Sequence, residues 1–409
     1  MPIKRVAVIG AGASGLMASW FAAENCEVVL YEKEKKAGRK ILASGNGRCN
    51  ISNVNADHTK YHGHNPEFVR SVFGAFSVNE TISFFESIGI PFIEEDEGKL
   101  FPASLQASIV TKVFEYELAR KKVETRLHRR IDRIIPEDKK FRVITAGMDE
   151  ELFDSVILAC GSCAFPSLGA SSRGYELAAS LKHRIFDPFP VILPLNISIK
   201  AVHRMQGVKW DCGLKVILDG RVLARSEDEL LFTPYGISGP AALKVSRHVN
   251  EKVMAGLIPE ISIDFFPGQK HSHTEQLVET VTADSAKKLS FAMMGILREH
   301  IPAVILELSG IDPDMRCGSL SVDDKKRIAA TLKDFRIKPG RPRGFGEAVA
   351  AAGGVDVSQI NPATMESKIV RGLYITGELL DIDGDSGGYN LQFAWSTGAI
   401  AGRALSKKS

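Results

Sequence analysis

The stretch that decides the fold reads Val6-Ala-Val-Ile-Gly-Ala-Gly-Ala-Ser-Gly15. Its four apolar residues predict a buried strand, and the pattern G-x-G-x-x-G then opens a helix. A second apolar stretch, Val28-Val-Leu-Tyr-Glu32, predicts the next strand and ends in an acid. Strand, glycine turn, helix, strand and terminal acid together predict a βαβ unit that binds a dinucleotide.

Each glycine of this motif has its own physical role. Gly10 permits the tight turn out of the strand, Gly12 lets the backbone approach a pyrophosphate, and Gly15 lets the helix pack closely on the sheet. The pyrophosphate would meet unpaired N–H groups and the positive end of the helix dipole. Glu32 would accept a hydrogen bond from a ribose hydroxyl and repel a 2′-phosphate, which favours FAD or NAD over NADP.

The composition is that of an ordinary globular protein. The chain has 409 residues, of which 44% are hydrophobic and 25% charged, so two or three domains are expected. A net charge of +3 argues against a dedicated nucleic-acid surface. The sequence has neither a membrane-length apolar run nor the pattern of a signal peptide at its start. We therefore expect a cytoplasmic protein with a small-molecule substrate and no nucleic-acid or membrane partner.

The cysteines are scattered through the chain, which is typical of a reduced protein without a disulfide framework. Cys160-Gly-Ser-Cys163 has the spacing of a redox pair. It follows a predicted buried strand, so the alternative is that both thiols simply pack at a strand end. No second C-x-x-C accompanies it, and no metal site is expected. Cys49 has no cysteine a few residues away and is interpreted as structural.

The chain changes character twice, at the proline-rich segment 187–194 and after the glycine-rich segment 340–346. We predict an α/β protein whose Rossmann-like nucleotide-binding domain is interrupted by an inserted α+β domain. The predicted boundaries are 1–190 and 340–409 for the nucleotide-binding domain and 191–339 for the insertion, β-rich at 191–267 and 318–339 and helical at 268–317. The insertion would roof the site, because pockets favour domain interfaces.

Local signals predict particular elements within these domains. Ser77-Val-Asn-Glu80 has the pattern of a capping box that begins a helix. Pro302 should kink or divide the apolar stretch 291–308. Near the end of the chain, Leu391–Leu405 is predicted as a closing helix after a glycine-rich loop.

Two further segments are more specific: Gly38-Arg-Lys-Ile-Leu-Ala-Ser-Gly-Asn-Gly-Arg-Cys-Asn50 and Gly377-Glu-Leu-Leu-Asp-Ile-Asp-Gly-Asp-Ser-Gly-Gly-Tyr-Asn-Leu-Gln-Phe-Ala-Trp395. They resemble a bacterial family of FAD-dependent oxidoreductases that includes aminoacetone oxidase and the reductase proposed for 3-dehydro-bile acids, within the two-dinucleotide-binding flavoprotein superfamily. The resemblance spans the whole chain. It implies an inserted domain with a small β-barrel-like part and a helical part. The segment 159–163 departs from the family pattern, and Gly161 would keep its backbone role there.

The resemblance also implies which residues hold FAD. These are Gly10, Gly12, Ala13, Ser14 and Gly15 at the pyrophosphate, with Arg39 and Lys40 as nearby cations; Glu32 at the adenosine ribose; the backbone of Ile131 at the adenine; Ser44, Gly45, Arg48, Cys49 and Asn50 at the riboflavin end; Glu378 near the ribityl chain; and Asn390, Leu391 and Gln392 at the pyrimidine edge of the flavin. Lys33, Gly161, Gly377 and Gly388 are also expected to contact the cofactor. Backbone N–H donors at that edge would stabilise negative charge on reduced flavin.

The expected function is hydride transfer between flavin N5 and a small organic substrate. The chain has no second G-x-G-x-x-G, so a nicotinamide would visit only transiently, as in NAD(P)H-dependent reduction of a conjugated carbonyl compound. The alternatives are an oxygen-using oxidase of a small amine such as aminoacetone, and a non-catalytic flavin redox sensor or RNA-associated flavoprotein. No catalytic acid or base can be assigned, although His62, His64, His203, His248 and His300 are candidates by type.

Overall fold

The computed structural model describes residues 3–407 and divides the chain into two compact units. The first unit joins the residues up to Pro188 to those from Ala350 onward, and the second is the continuous segment Phe189–Val349. The chain therefore passes between units at 188/189 and 349/350. The positions expected from the sequence were 190/191 and 339/340.

The chain contains both strands and helices throughout. The strands are β1 (Lys4–Ile9), β2 (Cys26–Tyr31), β3 (Ser52–Asn53), β4 (Tyr61–His62), β5 (Phe92–Glu95), β6 (Lys99–Pro102), β7 (Glu124–Arg126), β8 (Ile131–Glu137), β9 (Lys140–Thr145), β10 (Glu150–Phe153), β11 (Ser155–Leu158), β12 (Ile185–Val191), β13 (Leu195–Asn196), β14 (Lys209–Leu218), β15 (Arg221–Thr233), β16 (Gly236–Ser238), β17 (Glu260–Asp264), β18 (Phe335–Ile337), β19 (Ala350–Val355), β20 (Leu373–Ile375) and β21 (Asp383–Gly384). The helices are α1 (Ala13–Ala22), α2 (Arg39–Ala43), α3 (Phe68–Ala75), α4 (Val78–Ser87), α5 (Ala107–Arg120), α6 (Arg173–Ser180), α7 (Pro240–Met254), α8 (His271–Val281), α9 (Leu289–Met293), α10 (Ile301–Leu308), α11 (Val322–Lys333) and α12 (Tyr389–Ser406).

A five-stranded parallel sheet forms the centre of the first unit, in the order β20-β11-β1-β2-β7. β1 lies between β11 and β2, and its residues 6–8 are fully buried. Burial on both faces explains why this strand is a continuous apolar run rather than an alternating one. β20 comes from near the end of the sequence, so distant parts of the chain build one sheet. This arrangement confirms the predicted α/β class.

Helices α1 and α12 pack against each other through glycines of α12. A Cβ atom on Gly398 would lie 2.3 Å from the carbonyl oxygen of Ser14. A Cβ atom on Gly402 would lie 2.5 Å from the carbonyl oxygen of Ala18. The two glycines are one turn apart and share a face of the helix. This face lets the backbones of α1 and α12 approach more closely than side chains would allow.

The second unit contains a six-stranded antiparallel sheet in the order β13-β16-β15-β14-β17-β18. Just beyond the two outer strands, Ile197 and Pro339 form an antiparallel bridge, which links the two edges of the sheet. Inside, the rings of Phe232 and Phe265 stack with centroids 6.5 Å apart. Helices α7 to α11 contribute to the same core. The unit is thus of the α+β type expected for the insertion, with a barrel-like sheet and a helical part.

Two local sequence predictions are confirmed. The Ser77 hydroxyl accepts the Glu80 N–H at 3.2 Å, and the Glu80 carboxylate accepts the Ser77 N–H at 2.9 Å, which completes the capping box of α4. Pro302 lies in the first turn of α10, where a missing N–H costs no hydrogen bond. The apolar stretch 291–308 is accordingly divided between α9 and α10. Among the described residues, no helix combines the length and apolarity that crossing a membrane requires.

Candidate functional site

The turn between β1 and α1 needs its glycines for different reasons. Gly10 has a φ of 105°, and a Cβ atom there would lie 2.5 Å from the carbonyl oxygen of Ala159. A Cβ atom on Gly15 would lie 1.9 Å from the carbonyl oxygen of Gly10. Gly12 differs, because a Cβ atom there would meet no atom within 4 Å. The open side of the turn is therefore at Gly12, where the pyrophosphate was predicted to approach.

The first turn of α1 presents unpaired backbone donors. Leu16 donates its N–H to the carbonyl oxygen of Gly12 at 2.9 Å. The N–H groups of Gly12, Ala13, Ser14 and Gly15 have no acceptor among residues 3–407. No acidic side chain lies in this turn to neutralise the positive end of the helix. The turn is thus an anion site made of backbone, as a pyrophosphate requires.

Glu32, at the end of β2, is held in place by two backbone donors. Its carboxylate accepts the N–H of Ala11 at 2.9 Å and the N–H of Glu34 at 2.9 Å, one on each oxygen. A carboxylate oxygen can accept more than one hydrogen bond, so capacity remains for a ligand hydroxyl. The orientation of Glu32 is therefore fixed before any ribose binds.

These groups line one open cleft in the first unit with an empty volume of about 1090 Å³. The sequence-predicted residues that line it are Gly10, Gly12, Ala13, Ser14, Glu32, Lys33, Arg39, Lys40, Ile131, Gly161, Glu378, Asn390 and Leu391. The sequence-predicted residues outside its lining are Gly15, Ser44, Gly45, Arg48, Cys49, Asn50, Gly377, Gly388 and Gln392. The structure thus brings the residues predicted for the adenosine and pyrophosphate together with the first turn of α12.

The predicted cations of the cleft are paired with carboxylates. The guanidinium of Arg39 lies 2.6 Å from Glu34, and the ammonium of Lys40 lies 2.5 Å from Glu378. Ser162 donates its hydroxyl to the same oxygen of Glu378 at 3.1 Å. Lys40 and Glu378 were predicted at different parts of the cofactor, at the phosphates and at the ribityl chain. In the structure these two side chains contact each other.

The loop 44–50 is held in an unusual backbone conformation. Asn46 and Cys49 have φ values of 55° and 63°, in the left-handed region that side chains rarely adopt. Arg48 lies 2.7 Å from Glu95 and stacks over the ring of Phe101. The Oδ1 atom of Asn50 is buried and has no hydrogen-bond partner among residues 3–407. A buried acceptor without a donor is costly, so this atom is suited to a ligand N–H.

The start of α12 offers a second set of backbone donors. The N–H groups of Asn390 and Leu391 have no acceptor among the described residues, whereas the Gln392 N–H donates to the carbonyl oxygen of Gly388 at 3.0 Å. The Gln392 side chain is fully buried, and its amide bonds to three hydroxyl-bearing side chains. Of the three predicted donors, Asn390 and Leu391 are thus available to a ligand and Gln392 is not. The Asn390 side chain bonds both backbone groups of Gly384, which fixes the preceding loop.

Several residues of the cleft were not predicted. They include Lys36, Arg129, Arg130, Cys160, Ser162, Leu168, Gly169, Ala170, Ser171 and Arg173. Arg129 and Arg130 precede Ile131 directly, so extending the predicted adenine position by two residues would have found them. Arg173 lies on α6 and donates to the carbonyl oxygen of Ile131 at 3.4 Å. Only the fold brings these two residues together, and no local pattern indicates it.

The donor and acceptor chemistry of these residues fits FAD. The free N–H groups of α1 suit two phosphates, and the fixed carboxylate of Glu32 suits a ribose. The orphaned Oδ1 atom of Asn50 suits the N–H of an isoalloxazine ring, and the free N–H groups at the start of α12 suit its carbonyl oxygens. A Cβ atom on Gly388 would lie 2.8 Å from Asn50 Oδ1, so the last two sets are neighbours. Among residues 3–407, no group of three or more candidate ligands could hold a metal ion.

The two cysteines of the C-x-x-C segment are free thiols in unfavourable surroundings for a thiolate. Burial raises the pKa of Cys160 to about 12 and also raises the pKa of Cys163. Burial likewise raises the pKa of Cys49 to about 12. Because the thiolate is the reactive species, these environments favour a packing role.

We therefore expect Cys160 and Cys163 of the native protein to resist alkylation near pH 8. A thiol with a pKa of about 12 is only ~0.01% ionised there, so Cys160 should react with iodoacetamide roughly a thousandfold more slowly than an ordinary cysteine. Mass spectrometry of timed samples measures this, and the same chain in urea is the control in which both thiols should react. Formation of a Cys160–Cys163 disulfide in the native protein on treatment with diamide would contradict the packing role.

Comparison with known proteins places the chain in a family. A family model described as the HI0933-like protein Rossmann domain matches residues 4–404. The chain is 36% identical to a Clostridium scindens protein named 3-dehydro-bile acid delta(4,6)-reductase, over 99% of this chain and 100% of that protein. It is 30% identical to the ribosomal RNA dihydrouridine synthase of Escherichia coli, over 95% of each chain.

Solved structures show the same fold. The 3-ketosteroid delta1-dehydrogenase of Sterolibacterium denitrificans matches with a TM-score of 0.52 and 11% identity, over 99% of this chain and 100% of that one. The whole-length family match and the two relatives confirm the family predicted from the sequence motifs. The chain belongs to the HI0933-like family of Rossmann-fold flavoproteins, and it is an FAD-dependent oxidoreductase.

Proposed function

We propose that this protein uses FAD to reduce a carbon–carbon double bond conjugated to a carbonyl group in a small organic substrate, with NAD(P)H as the source of electrons. The observation that carries the proposal is a chemistry common to two whole-length relatives. One is named as a reductase of the delta(4,6) bonds of a 3-dehydro-bile acid, and the other as a synthase of dihydrouridine. Both names describe saturation of a double bond that is conjugated to a carbonyl.

The residues of the cleft have distinct tasks in this reaction. Bound FAD supplies a hydride at N5 of its reduced ring. The backbone N–H groups of Gly12 to Gly15 bind the pyrophosphate, and Glu32 orients the adenosine ribose. The N–H groups of Asn390 and Leu391, at the positive end of α12, would stabilise negative charge on a bound flavin ring. These residues account for binding of the cofactor and for the type of reaction. They do not indicate which substrate is bound.

A small substrate is favoured over ribosomal RNA by the low net charge of the chain. The chain as a whole carries a net charge of only +3. Binding of RNA draws on a surplus of cations that neutralise phosphates. Ribosomal RNA remains the second candidate, because the Escherichia coli relative carries that name over its whole length.

The test separates the two halves of the reaction under anaerobic conditions. We expect NADH or NADPH to bleach the flavin absorbance, and a 3-oxo-delta(4,6) bile acid or cyclohexenone to restore it with formation of the saturated product. If ribosomal RNA reoxidises the flavin faster than the bile acid and cyclohexenone do, and dihydrouridine is formed, the substrate is RNA and not a small molecule. If neither nicotinamide bleaches the flavin while aminoacetone does, the protein is an oxidase and the proposal fails.

A further inference from the structure

A loop between β11 and α6 lines the candidate site on one of its faces. The loop comprises residues 165–171, which we call the strap. Its residues Leu168 to Ser171 line the cleft, whereas Pro166 and Ser167 are exposed to solvent. The strap therefore separates part of the cleft from water.

The strap is hydrogen-bonded to the segment that follows β2. Nη2 of Arg39 donates to the carbonyl oxygen of Ser167 at 2.9 Å, while Nη1 of the same guanidinium donates to Glu34 at 2.6 Å. The ammonium of Lys33 donates to the hydroxyl of Ser171 at 3.1 Å. Lys33, Glu34 and Arg39 all line the cleft. Two hydrogen bonds thus join the strap to other residues of the cleft wall.

Gly169 lets the strap approach this segment closely. Its φ is 93°, in the left-handed region that glycine adopts readily, and a Cβ atom there would lie 2.7 Å from Cγ of Glu34. The side chain of Glu34 is held in place by Arg39. The backbone N–H of Glu34 also donates to the carboxylate of Glu32 at 2.9 Å. A single residue, Glu34, therefore connects the strap to the carboxylate that suits the adenosine ribose.

The chain that leaves the strap is bonded to the start of β8. Arg173, two residues after Ser171, donates to the carbonyl oxygens of Ile131, at 3.4 Å, and of Asp132. Ile131 lines the cleft and is the residue that the sequence predicts at the adenine. The strap and its flanking residues therefore contact both segments that are expected to hold the adenosine, the one after β2 and the start of β8.

The strap also offers hydrogen-bond donors to a ligand. The N–H groups of Leu168 and Gly169 close a turn, because they donate to the carbonyl oxygens of Phe165 and Pro166, each at 2.9 Å. The N–H groups of the next two residues, 170 and 171, have no acceptor among residues 3–407. Both residues line the cleft, so oxygen atoms of a ribose or phosphate there could accept from them.

We propose that the strap encloses the adenosine half of FAD and determines how fast the cofactor leaves. The proposal rests on FAD binding and not on the identity of the substrate. A nucleotide between Glu32 and the strap dissociates only after the hydrogen bonds from Arg39 and Lys33 to the strap have broken, which is a local opening of the fold. FMN lacks the adenosine and gains nothing from this enclosure. The strap therefore also selects FAD over FMN.

The first test is the rate of FAD dissociation from Gly169→Ala. The added methyl group would contact Glu34 and displace the strap. We expect dissociation to be at least about tenfold faster than in wild type, because changes at a binding site act mostly on the dissociation rate. Ser171→Ala removes only the hydrogen bond from Lys33 and should accelerate release about threefold. Flavin fluorescence after rapid dilution of the holoprotein measures both rates.

Gly89→Ala is the matched control. Gly89 has a φ of 86°, so alanine is as strained there as at Gly169, but its Cβ atom would meet nothing within 4 Å. Gly89 is also outside the lining of the cleft. Its variant should release FAD at the wild-type rate. Equal acceleration in Gly89→Ala, or unchanged FAD release in both Gly169→Ala and Ser171→Ala, would overturn the inference.

Hydrogen exchange tests which half of the cofactor the strap covers. ADP carries the adenosine and the pyrophosphate without a flavin, and FMN carries the flavin without an adenosine. We expect saturating ADP to slow exchange of the backbone amides of 167–171 in the wild-type apoprotein about as much as FAD does, while FMN leaves them unchanged. Protection by FAD but not by ADP, or by neither, would show that the strap does not enclose the adenosine half.

Discussion

A Gly12→Ala variant is expected to fold normally and to lose FAD. The added methyl group meets no protein atom within 4 Å, so the free energy of unfolding of the apoprotein should change little. The same methyl group occupies the side from which the pyrophosphate approaches the free N–H groups of α1. Loss of two charge-assisted hydrogen bonds, each about 1.5–3 kcal/mol, should raise the Kd for FAD roughly 100-fold or more.

The measurement combines thermal melting of the apoprotein with titration of FAD by flavin fluorescence. Gly74→Ala is the matched control, because Gly74 lies exposed in α3 and its added Cβ atom would also meet nothing within 4 Å. It should retain FAD and gain about 0.5–1 kcal/mol of stability from the better helix propensity of alanine. Wild-type affinity for FAD in Gly12→Ala would show that the pyrophosphate does not lie against this turn.

A Gly398→Ala variant is expected to destabilise the first unit itself. Its Cβ atom would lie 2.3 Å from the carbonyl oxygen of Ser14, which is backbone and cannot rotate away. Helices α1 and α12 must then separate, at a cost of about 1–3 kcal/mol or more for overpacking. The adjacent contact at Gly402 shares the same helix pair, so the double change Gly398→Ala with Gly402→Ala should couple rather than add.

Urea unfolding followed by circular dichroism measures this effect, with the same Gly74→Ala variant as the control for a glycine-to-alanine change in a helix. FAD affinity should fall in Gly398→Ala as well, since α1 carries the anion site. The stability of the apoprotein distinguishes the two variants. It should fall in Gly398→Ala and stay close to that of wild type in Gly12→Ala. An apoprotein of unchanged stability would mean that α1 and α12 do not pack as closely as the structure has them.

The parts of the site that depend on short spacing could be predicted from the sequence. The roles of Gly10, Gly12 and Gly15 follow from a turn of a few residues, and the capping box at Ser77 is equally local. Contacts between distant segments could not be predicted. Lys40 and Glu378 are 338 residues apart, and His64 and Asp381 are 317 apart. Only the pairing of strands and helices in three dimensions determines which of many such residues meet.

Gln392 shows how a small boundary error changes a functional assignment. The predicted helix began at Leu391, which would make Gln392 its second residue, with an unpaired N–H. The helix begins at Tyr389, so Gln392 is its fourth residue and donates to Gly388 instead. Because the helix begins two residues earlier than predicted, the N–H of Gln392 is used within the helix and is not available to a ligand. Helix ends are the positions that local patterns determine least well.

The packing of α1 on α12 has a consequence for biosynthesis. A ribosome that adds 5–20 residues per second needs roughly 20–70 s to make the residues between these two helices. During that time α1 and the sheet beside it lack the helix that covers them. The second unit is one continuous segment, 189–349, so every residue of it is available earlier. The nascent chain can therefore complete its inserted unit while the cofactor-binding unit still exposes an apolar surface.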